Sequence, residues 1–223
     1  MRLIRKGLKV LHPILRRVMQ WYLSGVRFYR FRGIRVKILP GVFHPGLFYS
    51  TRTLIRFVDI LDLRDKRLLE LGAGSGLLAL YCTRRGARVT ASDINPKAIK
   101  GLLENAAMNQ ISLEVAVSDL FERLDPDDFD IVLINPPYYP RAPEDMDQRA
   151  WYCGSDFEYF HKLFREMVDL KPYTQVYMIL SEDCSLEEIQ KIAIHRGLIF
   201  DLQLTKRVLG EMNFVYQIRK RTQ

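Results

Sequence analysis

Three cysteines in 223 residues, Cys82, Cys153 and Cys184, are too few and too widely spaced for a disulfide framework or a paired-thiolate zinc site. Histidine is as sparse: His12, His44, His161 and His195 share no ligand spacing, so all seven side chains are expected in core or surface roles and no metal is expected. No apolar run approaches 18 residues, which predicts no membrane-spanning helix. Pro13, Arg16 and Arg17 interrupt the partly apolar amino terminus and no small-residue cleavage site follows, so a secretory signal is not expected and a cytoplasmic location is. The most informative absence is of acid. No Asp or Glu precedes Asp59, whereas 13 Lys and Arg do, leaving 21 of the 34 basic residues for a remainder that holds all 26 acidic ones. The net charge of +8 is therefore an average over a cationic arm and a mildly acidic body.

Hydrophobic content of 48% and charge of 27% are ordinary for a globular protein, and the length suits one large domain with an arm. We divide the chain into 1–39, a basic amphipathic helix and hairpin, and 40–223, the main domain. In the arm, Ile4, Leu8, Leu11, Leu15, Val18 and Tyr22 recur at helical spacing over 3–23, with Arg2, Arg5, Lys6, Lys9, Arg16 and Arg17 on the opposite arc and a kink expected at Pro13. From 26 to 39 the period changes to two around Arg32-Gly33, a hairpin signal. Such an arm suits a polyanion, whether RNA, the ribosome or an anionic membrane surface; packing against the body with its charges in water serves as well. RNA is favoured because Phe28, Tyr29 and Phe31 interleave with Arg27, Arg30 and Arg32, mixing stacking faces with phosphate partners.

The remainder alternates strand and helix. After Pro40-Gly41, Ser50 is expected to cap a helix carrying Leu54, Phe57, Val58 and Leu61, in a linker that crosses the mouth of the sheet. A buried strand over 68–71 runs into a turn rich in glycine (Gly72, Gly74, Gly76) and a helix over 77–85. A second strand over 88–93 ends in Asp93, about 20 residues past the glycines and placed to take ribose hydroxyls. A helix opens at Asn95 or Pro96 and runs to 109, and a strand over 112–118 delivers Asp119, which serves either an adenine amine or the cap of the next turn. Further elements are strand 131–134, helix 156–170, strand 175–180, helix 185–196, and strands 198–206 and 213–219. The short joint at Gly210 forces these last two antiparallel. The expectation is an α/β, Rossmann-like fold: a seven-stranded, mostly parallel sheet with an antiparallel last strand. The glycine spacing is G-x-G-x-G. A dinucleotide site would place its third glycine at 77, where Leu77 stands, and no paired His or Tyr-Lys supports a nicotinamide oxidoreductase.

The stretch FDIVLINPPYYP, residues 129–140, organises the rest. Its continuous apolar run reads as a parallel strand buried on both faces, with Asn135 at the carboxyl end, where open α/β sheets bind ligands. Pro136 and Pro137 offer no N–H, so the turn presents acceptors: the Asn135 side-chain oxygen and the Pro136 carbonyl. With Tyr138 and Tyr139 beside them, these acceptors suit a planar NH2 group, an amide or an exocyclic base amine.

ELGAGSG (70–76), SDINPKAIKGLLENAAMN (92–109) and NPPY (135–138) resemble the motifs of the class I S-adenosylmethionine-dependent methyltransferases, and within them the HemK/PrmC-type amino-group enzymes, over about residues 40–220. The resemblance implies a cofactor, S-adenosyl-L-methionine, with Glu70, Gly72, Gly74 and Gly76 at its methionine part, Asp93 and Ile94 at its ribose, and Asp119 and Leu120 at its adenine. It implies that Asn135, Pro136, Pro137 and Tyr138 form the catalytic motif, with Asn135 reaching the cofactor as well. The implied acceptors are the glutamine amide of a release-factor-like protein or an RNA or DNA base. Two stretches depart from the pattern of the eukaryotic and archaeal-type relatives: Cys153 replaces one of two adjacent glycines, and HPGLFYSTRT lacks the acid they place before Ser or Thr. A catalytically silent RNA-binding or assembly protein on the same fold is the rival expectation.

Overall fold

The computed structural model describes residues 22–168, 170–208 and 210–221, so the expected helix over 3–23 lies outside the described residues except for its last two, Tyr22 and Leu23. Strands β1 (Arg27–Phe31) and β2 (Ile34–Ile38) form the expected antiparallel hairpin, with Phe31 opposite Ile34. Its two-residue turn holds Arg32 at φ +50° and Gly33 at φ +79°. Left-handed backbone at both central positions matches the twist of paired strands, and glycine adopts it without cost. Ile34, Val36 and Ile38 are buried in the same core as the main sheet, so no gap in packing marks residue 39.

The interleaved rings and cations divide between the two faces of the hairpin. Tyr29 and Phe31 stack on each other at 6.5 Å and pack against the core. Arg27 lies over the Tyr22 ring at 4.3 Å, and Arg32 pairs with Asp59 at 2.8 Å. Phe28, Arg30 and Arg35 face outward, with the Arg35 guanidinium 4.8 Å from the Phe28 ring centre. Alternation of the strand, read as a surface, hid that one face of this hairpin is core.

Helix α1 (Tyr49–Val58) follows, and the expected Ser50 cap is not there: Ser50 is buried within the first turn and the cap position is Phe48, without a side-chain hydrogen bond. Aromatic packing sets the helix start instead. The Phe48 ring lies 5.1 Å from Phe43 and 4.6 Å from Trp151.

The main sheet comprises β3 (Arg67–Leu71), β4 (Arg88–Asp93), β5 (Glu114–Val117), β6 (Ile131–Ile134), β7 (Gln175–Ser181), β8 (Leu198–Val208) and β9 (Glu211–Lys220), in the order β5-β4-β3-β6-β7-β9-β8. Pairings from β5 to β7 are parallel, and β9 inserts antiparallel between β7 and β8. Helices α2 (Leu77–Arg84), α3 (Pro96–Asn109), α4 (Glu158–Met167) and α5 (Leu186–His195) cover it. One core, on the side of the hairpin, α1, α2 and α3, takes Leu68, Ile131 and Leu133; the other, under α4 and α5, takes Leu69, Leu71, Val132 and Ile134. That alternation explains why these strands are apolar throughout. Helix α3 starts as expected, with the Asn95 side chain accepting from the Lys97 N–H at 3.0 Å and Pro96 in the first turn.

The strand order reverses between β3 and β6. Crevices at such switch points lie outside the carboxyl ends of the strands, which is where the sequence places its chemistry. Among the described residues no helix is long and apolar enough to cross a membrane.

Candidate active site

A cleft of about 350 Å³ opens at the carboxyl ends of β3, β4, β5 and β6. Its floor is the turn between β3 and α2. Gly72, Gly74 and Gly76 all have positive φ, at 72°, 54° and 76°, and the turn is pinned to the next strand by the Ala73 N–H donating to the Ser92 carbonyl at 2.9 Å. The three glycines differ in purpose. A Cβ built on Gly72 would meet nothing within 4 Å and would project into open cleft, whereas one on Gly76 would run into the Leu102 side chain at 2.6 Å. Gly76 does not line the cleft; it lets α3 pack against the turn.

Asp93, at the end of β4, ties the site together. Its Oδ2 accepts from the Gly74 N–H at 2.8 Å and its Oδ1 from the Asn95 N–H at 2.9 Å. Burial raises its pKa above the usual carboxylate value, and these N–H groups oppose the shift. Glu70, on β3, is buried, and its Oε2 accepts from the Ala79 N–H at 2.7 Å, at the positive end of α2. Desolvation outweighs that bond, and its carboxyl is pushed up to about 8, with the neighbouring Asp93 charge adding to the rise.

Asp119 follows β5, and its Oδ2 lies 2.7 Å from Lys162 Nζ. Leu120, at φ +54°, is held by the Ser118 hydroxyl, which donates to the Leu120 carbonyl at 2.8 Å and accepts from the Arg123 N–H at 3.1 Å. At the end of β6, the Asn135 Nδ2 donates to the Thr51 hydroxyl oxygen at 3.3 Å. Pro136, Pro137 and Tyr138 continue along the wall. Tyr138 is tilted against Tyr139 with ring centres 4.8 Å apart, and Tyr139 pairs with Tyr152, so the segment after the prolines is fastened to 151–153.

Glu70, Gly72, Gly74, Asp93, Ile94, Asp119, Leu120, Asn135, Pro136, Pro137 and Tyr138 all line this one cleft. Sequence reasoning missed Tyr159 and Lys162 of α4, which line it too. Lys162 falls opposite Phe160, Leu163, Phe164 and Met167, the buried face, and Tyr159 on its flank, so the sequence reads Lys162 as a solvent cation and Tyr159 as the edge of the core. Cys153 also lines the cleft, but burial pushes its thiol up to about 11, and that of Cys184 up to about 12, so neither is a reactive thiolate. His44 is buried, its Nδ1 accepting from the Gly46 N–H at 3.1 Å. Among the described residues no group of three or more His, Cys, Asp or Glu side chains is arranged to hold a metal.

A glycine turn, two strand-end acids and a strand-end Asn-Pro-Pro-Tyr thus surround one cleft of a Rossmann-like sheet. The methyltransferase small domain family matches residues 33–150, and the chain belongs to that family. Human methyltransferase HEMK2 is 30% identical over 164 residues, 68% of this chain and 77% of that one. A Methanocaldococcus jannaschii chain, provisionally named a protein N5-glutamine methyltransferase, is 35% identical over 114 residues, 51% of this chain and 55% of that one. For the release factor glutamine methyltransferase of Lactococcus lactis the identity is 34% over 48% of this chain and 40% of that one. The match thus spans about half the length of these two microbial relatives. The fold is shared with the E. cuniculi Mtq2-Trm112 complex, described as methylating the eRF1 termination factor, at a TM-score of 0.62 and 21% identity over 81% of this chain and 99% of that one. It is shared equally with the T. thermophilus 16S rRNA N2 G1207 methyltransferase, at 0.62 and 21% over 88% and 50%.

Proposed function

We propose that this chain is an S-adenosyl-L-methionine-dependent N-methyltransferase acting on a planar NH2 group. The observation that carries the reading is Asn135: it stands in the same cleft as the glycine turn and Asp93, and its Nδ2 is committed to Thr51, which leaves Oδ1 as the acceptor edge.

The residues fit the cofactor. The face of Gly72 is clear for close approach, and Asp93 and Asp119 stand at successive strand ends along one wall. Gly72 and Gly74 would hold the amino-acid tail above Glu70, Asp93 the ribose hydroxyls, and Asp119 the exocyclic amine of the base, with Ile94 and Leu120 as apolar flanks. The cofactor supplies an already activated methyl group, so the chain has to align an acceptor rather than activate one. Asn135 Oδ1 and the Pro136 carbonyl would accept the two hydrogens of the acceptor nitrogen and turn its lone pair into line, which is catalysis by orientation. Both oxygens bind the nitrogen more tightly as it gains positive charge, so they favour the transition state over the ground state. Tyr138 gives the acceptor a flat apolar face.

The glutamine amide of a translation factor and the exocyclic amine of an RNA or DNA base both have this planar NH2 geometry, and relatives are named both for a release-factor glutamine and for ribosomal RNA. For the basic amino-terminal region we propose contact with RNA, through residues that include Phe28, Arg30 and Arg35 of the hairpin. The division at residue 39 is then one of role rather than of packing.

Calorimetry with S-adenosylhomocysteine and with NADH tests the reading. The proposal expects the first to bind and the second not to. Tight NADH binding with none of S-adenosylhomocysteine would replace it by an oxidoreductase, and binding of neither by a silent assembly protein.

A further inference from the structure

We propose that Lys162 is the positioning residue through which the cleft selects a 6-aminopurine nucleoside, by holding one oxygen of Asp119 and leaving the other as an acceptor; this rests on the cofactor reading above. Lys162 Nζ lies 2.7 Å from Asp119 Oδ2, pairs with Glu122 as well, and stands 4.0 Å from Glu166 Oε1. Among the described residues it is the only cation within ion-pair range of these three carboxylates. It is also well covered, with 22% of its side chain exposed. No hydrogen bond among the described residues uses Asp119 Oδ1.

The backbone hydrogen bonds of the loop are made by other side chains. Glu166 Oε2 accepts from the Phe121 N–H at 3.0 Å, and Ser118 pins Leu120 and Arg123. The direct contacts of Lys162 are with carboxylates, Asp119 among them, and not with the backbone. A carboxylate with one oxygen tied offers its second oxygen as an acceptor and nothing as a donor. An exocyclic amine complements that edge, whereas the oxygen of a 6-oxopurine would meet it acceptor against acceptor, a mismatch that building to one hydrogen-bonding pattern makes costly. Without Lys162, Asp119 loses the partner that fixes its plane and faces Glu122 and Glu166 with no cation between them.

The test is calorimetry with S-adenosylhomocysteine and S-inosylhomocysteine on the full chain, for wild type, Lys162→Met and Lys162→Arg, with melting temperatures alongside. Wild type is expected to prefer the adenosine compound at least about tenfold, the scale of one charge-assisted hydrogen bond. Lys162→Met should shrink that preference severalfold while its melting temperature stays close to wild type, and Lys162→Arg should restore it. If wild type discriminates and Lys162→Met discriminates equally, Lys162 has no part in selection although the cofactor reading stands. If wild type binds neither compound, the cofactor reading fails first and takes this proposal with it.

Discussion

The side-chain amide of Asn135 is held by the hydroxyl of Thr51, 84 positions away in sequence, at 3.3 Å. Thr51 is buried on α1 and lines the same cleft, so on the reading proposed above a residue of the linker helps to orient the Asn135 amide. Thr51→Val keeps the shape and removes the partner. It should lower turnover about tenfold, the worth of one orienting hydrogen bond, and leave the dissociation constant for S-adenosylhomocysteine within about twofold. Thr51→Ser should keep near-normal turnover. Equal turnover in the Val variant would remove Thr51 from the positioning of Asn135.

Two glycines of one turn should fail in different ways. Both Gly72→Ala and Gly76→Ala place a Cβ on left-handed backbone, which costs about 1 to 2 kcal/mol. Gly72→Ala adds only a methyl group in the cleft, so its further effect falls on cofactor affinity. Gly76→Ala also drives against Leu102, so it should melt several degrees lower than Gly72→Ala while any protein that remains folded binds the cofactor normally. Melting curves and calorimetry on the pair separate the two; a Gly76 variant that melts like Gly72→Ala would contradict the packing role.

Much of this was legible in the chain. The bounds of β6 follow from its apolar run and the Asn that stops it, those of β4 from the alternation of Val89 and Ala91 up to Asp93, and those of α3 from Asn95-Pro96 at one end and Asn109 at the other. Contacts that join distant segments were not. Thr51 and Asn135 meet only in the fold, Lys162 reads as a surface cation until α4 is seen to wall the cleft, and Tyr29 reads as an outward ring until the hairpin is packed. Glycine spacing marked a turn without telling the cleft-facing Gly72 from the packing Gly76.

Stability should carry the signature of Glu70. Its carboxyl titrates near 4.5 when free and at about 8 in the fold, so the folded state holds the proton more tightly. The contribution is fully present below pH 4.5 and is lost as pH rises toward 8, because folding then buries a charge. Glu70→Gln accepts the same Ala79 N–H without titrating. Relative to wild type it should gain stability between pH 5 and pH 9, on the order of a few kcal/mol, in denaturant unfolding. A stability difference independent of pH would show that Glu70 stays ionised in the fold.

For the hairpin, Arg30 and Arg35 are the outward cations without an ion pair among the described residues. If both meet phosphates of single-stranded RNA, replacing them with Ala should flatten the slope of log affinity against log salt by about 1.4, at about 0.7 per contact. An unchanged slope, or binding to anionic liposomes in place of RNA, would turn the basic region toward another partner.

The central claim is methyl transfer at Asn135. The most direct measurement incubates wild type and Asn135→Ala with S-adenosylmethionine labelled in the methyl group and, separately, with the RNA, DNA and protein fractions of a host lacking the gene. The account predicts nitrogen-linked label in one fraction with wild type. With Asn135→Ala it predicts transfer at least about a hundredfold slower, at nearly unchanged cofactor affinity. No label in any fraction, or a variant that transfers at the wild-type rate, would contradict it.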